Sequence, residues 1–133
     1  MAWPPGKHIE TLIAQAQQVL ADMRIVRHDV SLSRALIDLE GKRDNYRIIV
    51  SEIHRANGTV RYAYYVLDSQ NRLLRGFDNS PDTQVVKLRY GIDWKPHLHE
   101  EIPHQHDANQ NLILTTETMT FNIFVEWLTH NLK

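Results

Sequence analysis

Apolar residues near the start of the chain fall at Ile9, Leu12, Ile13, Ala16, Val19, Leu20 and Met23, with Glu10, Gln15, Gln17 and Gln18 between them. Steps of three and four place the apolar set on one face of a helix, so the spacing predicts an amphipathic helix over 7–22. From Ile25 the period shortens toward two. Leu32 to Leu39 and Tyr46 to His54 read as strands joined by a hairpin at Gly41-Lys42-Arg43-Asp44. In the second of these, Ile48, Val50 and Glu52 share one face, and Ile49, Ser51 and Ile53 the other. Asn57-Gly58 accepts the positive φ of a tight turn, and Thr59 to Leu67 follows as a strand rich in β-branched and aromatic residues. Asp68-Ser69-Gln70-Asn71 turns the chain into a further strand, Arg72 to Asp78, which completes an expected antiparallel meander over 30–78.

The stretch 79–110 shows no firm period, although Val85 to Tyr90 reads as a short strand. It is predicted to be a long ordered loop, anchored by Trp94 and Ile102. Asn111 to Thr115 reads as a last edge strand. Thr116 or Thr118 is placed to cap a closing helix over 118–131, with Met119, Ile123, Phe124, Trp127 and Leu128 as its buried stripe. The expected architecture is α+β: one domain over 1–133, a single antiparallel sheet with the N-terminal and C-terminal helices packed on one face, and the loop near a sheet edge.

The chain has 133 residues, a net charge of −1 and no cysteine, which excludes disulfides and thiolate sites. Met1 to Gly6 holds no apolar core of signal-peptide length, and no run approaches the roughly 18 apolar residues of a membrane span. The expectation is a cytoplasmic protein with no membrane contact. Charge is uneven: Lys42 to Lys95 carries ten basic against six acidic residues, while the remainder carries five against ten. The basic middle reads either as a surface for phosphates or as arginines solvating the open face of a sheet.

Reactive groups concentrate in Pro96-His97-Leu98-His99-Glu100-Glu101-Ile102-Pro103-His104-Gln105-His106-Asp107, which holds four of the eight histidines. Imidazole and carboxylate ligate first-row metals, and imidazole also moves protons near neutral pH. Three readings stay open: a divalent transition-metal site with His97, His99, His104 and His106 as ligands, a metal-free acid–base or phosphate-binding cluster, and a solvated loop in a non-enzymatic interaction module. Outside the loop, Glu52 is a carboxylate in an apolar strand that needs a partner or water. Arg75 either holds a phosphate through its forked donors or bonds Asp78, and Tyr62 and Tyr64 either stack a base or pack in the sheet. No glycine-rich phosphate loop or nucleophile elbow is present.

The runs Arg61-Tyr62-Ala63-Tyr64-Tyr65, Arg75-Gly76-Phe77-Asp78-Asn79-Ser80-Pro81 and Pro103-His104-Gln105-His106, in that order and followed by a closing helix, resemble the TumE family of toxins from prokaryotic toxin–antitoxin pairs. The likeness extends over 46–132. Family members often place histidines directly after the Asn-small-Pro turn, where this chain has Asp82-Thr83, and here Gly76 separates Arg75 from Phe77. The resemblance implies a growth-inhibiting toxin with RNA as target, neutralised by a small helix-turn-helix antitoxin. Metal-independent ribonuclease chemistry needs a base, an acid and a cation for the phosphate. His104 and His106 are the candidates for the first two and Arg75 for the third, with Asp78, Asn79 and Glu52 beside them.

Overall fold

The computed structural model describes residues 4–132. Its first element, helix α1 (Pro4–Val19), buries Ile9, Leu12 and Ala16, three members of the predicted stripe. The helix ends earlier than its spacing suggests, because the chain turns through Leu20 into β1 (Ala21–Val30), with Asp22 at a φ of 51°. This strand was not predicted. It is the outermost of the sheet and all its residues but Met23 are exposed, so nothing imposes apolar alternation on it.

Six strands follow, β2 (Arg34–Arg43), β3 (Tyr46–Arg55), β4 (Val60–Leu67), β5 (Leu73–Asp78), β6 (His104–Asp107) and β7 (Leu112–Leu114). All seven lie antiparallel in chain order, a meander that runs further in both directions than the expected 30–78. The β2–β3 turn falls at Asp44-Asn45, with Asp44 at a φ of 55°, not at Gly41. Gly41 lies inside β2 for a different reason: a Cβ there would come within 2.9 Å of Leu20 Cβ, where the chain leaves α1.

Cross-strand partners share a face, so the register divides the sheet cleanly. One face carries Ile37, Leu39, Ile48, Val50, Tyr62, Tyr64, Val66 and Phe77, buried beneath both α1 and α3 (Phe121–Asn131). Both terminal helices therefore cover the same face, and the α+β architecture is as expected. The cap of α3 is Thr120, whose hydroxyl accepts from the Ile123 N–H at 3.2 Å, rather than Thr116 or Thr118.

The segment between β5 and β6 is more regular than its sequence suggests. Residues expected as a short strand form helix α2 (Thr83–Tyr90), because Asp82 accepts from the N–H groups of Gln84 and Val85 and nucleates a turn. Val85 and Val86 then pack with Ile102 on the second face of the sheet, against partly buried Trp94, Leu112 and Leu114. The Asp82-Thr83 pair thus begins a helix. The loop is also pinned by Glu101, which accepts a forked pair of bonds from Arg55 at 2.9 and 2.7 Å and a third from Arg61 at 2.8 Å. No helix among the described residues is long and apolar enough to cross a membrane.

Candidate functional site

Strands β5 and β6 set Asp78 opposite His104 and Gly76 opposite His106. Asp78, His104 and His106 consequently project from one face, the one turned away from α1 and α3. Their ligand-type atoms all lie within 4.8 Å of one another. His104 is 2 % exposed and Asp78 7 %, while His106 is only partly covered and forms the open side of the group.

His104 and Asp78 each have a partner that orients them. His104 Nδ1 sits 2.7 Å from the Ile102 carbonyl oxygen, which can only accept. That nitrogen therefore carries the proton and Nε2 keeps its lone pair in the neutral ring. Asp78 accepts from the Ser80 N–H at 2.5 Å and from the Tyr65 hydroxyl. Burial, then the bond to Asp78, push the Tyr65 hydroxyl well above its ordinary range, so it stays a donor. Burial, then the neighbouring His104, hold His106 below the usual imidazole value, against the opposing pull of Asp78 and Asp82. The two imidazole rings are 4.9 Å apart and nearly perpendicular.

Gly76 makes this arrangement possible. A Cβ at that position would lie 2.5 Å from two carbons of the Tyr65 ring, which covers the glycine on the way to Asp78. Gly76→Ala is expected to cost about 1–3 kcal/mol by overpacking and to displace the Tyr65 hydroxyl from Asp78. Urea denaturation together with a change in tyrosine absorbance would check both effects.

The other predicted residues lie elsewhere. Arg75 points to the opposite face, because alternation along β5 separates it from Asp78 by an odd step. It donates to Gln105 Oε1 at 3.0 Å and its guanidinium lies over Trp127, so it neither bonds Asp78 nor faces the histidines. Glu52 also faces α1, with His54, His8 and Tyr64 around it. Tyr62 and Tyr64 are 2 % and 1 % exposed and stack on each other, which leaves no face for a base. Asn79 is buried. It accepts from the Tyr62 N–H at 2.8 Å and donates to the Val60 carbonyl at 2.9 Å, continuing the β4–β5 pairing beyond the end of the strand.

The four-histidine shell is not assembled. His97 stacks on Tyr90 and is held by Glu100, and His99 is exposed in a hollow with Arg55, Asn57 and Arg61. Pro96 and the short helical turn over Lys95–His97 send this pair away from β6. Sequence reasoning missed Tyr65 and Ser80 as partners of Asp78, and His8 and His54 as partners of Glu52. Only the alternation of Tyr65 against Tyr64 signalled that one tyrosine faced the other side.

Comparison of the chain with protein-family models, with curated proteins and with solved structures finds no match.

Proposed function

We propose that Asp78, His104 and His106 hold a divalent transition-metal ion, and that through it the chain acts on RNA as the toxin-like member of a toxin–antitoxin pair. The observation that carries this reading is the convergence of two buried donors and one half-open donor, the buried two oriented by groups outside the trio. Metal-ligating imidazoles ordinarily give their second nitrogen to a carbonyl or carboxylate, as His104 gives Nδ1 to Ile102. Two imidazoles and a carboxylate suit zinc or a neighbouring first-row ion, and three protein ligands leave positions for water and a phosphate oxygen. The ion would supply the positive charge that Arg75, facing the other way, does not. The toxin and RNA parts rest on the motif likeness: the Asp78-Asn79 turn and the Pro103-His106 run meet on adjacent strands.

A metal-free acid–base reading has one observation in its favour, the burial that lowers His106 below the usual imidazole value and so favours the ring form able to accept a proton. Chelation separates the two. Protein made without a His-tag is expected to carry an ion that His106→Ala releases, to arrest growth when expressed without a partner, and to cleave RNA only until chelator is added. Less than about a tenth of an equivalent of metal, with no melting shift on adding zinc or nickel, would overturn the metal assignment. Unimpaired growth and intact RNA would overturn the toxin assignment. Tyr65→Phe, which removes the donor to Asp78, is expected to weaken metal affinity about 10–100-fold without unfolding the protein, measured by competition with a chromogenic chelator.

A further inference from the structure

On the opposite face of the sheet, beneath α1, a second set of ligand-type side chains converges, and the function proposed above makes no use of it. Glu52 Oε1 lies 2.7 Å from His54 Nε2 and 3.3 Å from His8 Nε2, and the three donor atoms all fall within 4.8 Å of one another. We infer that His8, Glu52 and His54 form a second divalent-cation site, which fastens α1 to the sheet.

Three features carry this. First, both imidazoles aim the same nitrogen at one carboxylate oxygen, while the Tyr64 hydroxyl donates to the other at 2.5 Å and fixes the carboxylate. Without an ion, each imidazole can donate an Nε2 proton to that oxygen; a cation would instead take the lone pairs of both nitrogens and of the oxygen at once. Second, the spacing fits. Bonds of about 2.0–2.2 Å in a tetrahedron put ligand atoms roughly 3.4 Å apart. The His8–Glu52 distance of 3.3 Å is already there, and the His54–Glu52 pair at 2.7 Å needs to open by less than about 1 Å. Third, the site is lined and reachable. Glu52 is 2 % and His54 8 % exposed, yet the His8 side chain is 53 % exposed and borders a cavity of about 110 Å³ with Thr11, Gln15 and Asn122. A water completing the shell can enter from that side. Two nitrogens and one oxygen favour zinc over magnesium or calcium, which prefer all-oxygen shells.

The test uses the whole 133-residue chain, untagged and chelator-treated, and Zn²⁺ alone. The double variant His104→Ala/His106→Ala is expected still to bind about one equivalent, with a rise of several degrees in Tm. Adding His8→Ala should abolish both, with the far-UV circular dichroism unchanged because His8 stands at the surface. If the double variant does not fold, His8→Ala in the otherwise natural chain should lower the bound zinc from about two equivalents to about one. Zinc stoichiometry and Tm response unaffected by His8→Ala would overturn the inference, leaving a proton-filled triad. Loss of the sole equivalent with His8→Ala, while His104→Ala/His106→Ala has no effect, would uphold this site and sink the one at Asp78.

Discussion

Glu52→Ala is expected to destabilise the metal-free protein by roughly 3–5 kcal/mol, the cost of leaving a buried polar network without its acceptor. His54, His8 and Tyr64 all converge on this carboxylate, and His54 and Tyr64 are too deeply placed to bond water instead. Glu52→Gln keeps one acceptor oxygen and should cost less. The same network makes stability depend on pH. Burial raises the Glu52 carboxyl, but the bonds from His54, His8 and Tyr64 more than offset this and hold it at about 2, against an ordinary 4.5. A carboxylate with a depressed folded value contributes stability above 4.5 that is lost as pH falls toward 2, worth up to about 3 kcal/mol here. His8 is raised from 6.5, first by its bond to Glu52 and against the pull of desolvation. Its share is full below 6.5 and fades as pH rises through the elevated value. The two are one contact seen from both partners and are not additive. Chelator-treated protein should therefore be most stabilised by this cluster between about 4.5 and 6.5, and Glu52→Ala should flatten the acid limb of the curve. Urea denaturation at several pH values measures it; an unchanged acid limb would refute the assignment.

His104→Ala is expected to abolish growth inhibition and RNA cleavage and to release the ion at Asp78. It also leaves the Ile102 carbonyl without its buried donor, at about 1–3 kcal/mol. His97→Ala and His99→Ala make the useful contrast. Both belong to the same His-rich run, yet one is held by Tyr90 and Glu100 and the other lies open to solvent. Neither should change metal content or activity. Loss of activity in either, with His104→Ala active, would place the chemistry in the turn before Glu100 instead of on β6.

The comparison of these two pairs of histidines shows where reading a chain in one dimension fails. Pro96-His97-Leu98-His99 and Pro103-His104-Gln105-His106 share one local pattern, so nothing within either run tells them apart. What separates them is hydrogen bonding to other strands: the second pair enters the sheet between β5 and β7, and the first has no such neighbour. Val85-Val86 misled in a related way, since two adjacent β-branched residues favour a strand until the cap at Asp82 and the apolar partner Ile102 are counted. Arg75 was drawn toward Asp78 by nearness in sequence, although three residues along a strand means opposite faces.

Local periodicity by itself determined both terminal helices, the strands from Arg34 to Asp78 and their antiparallel order, because turns and alternation act over a few residues. It also marked the residues able to do chemistry. Which of them meet was decided only by tertiary structure: register across β4, β5 and β6 joins Asp78, His104, His106 and Tyr65, and the docking of α1 brings His8 to Glu52 and His54. Those meetings span up to forty-six residues of chain. They depend on which face of the sheet each side chain takes, a property that no short window of sequence contains.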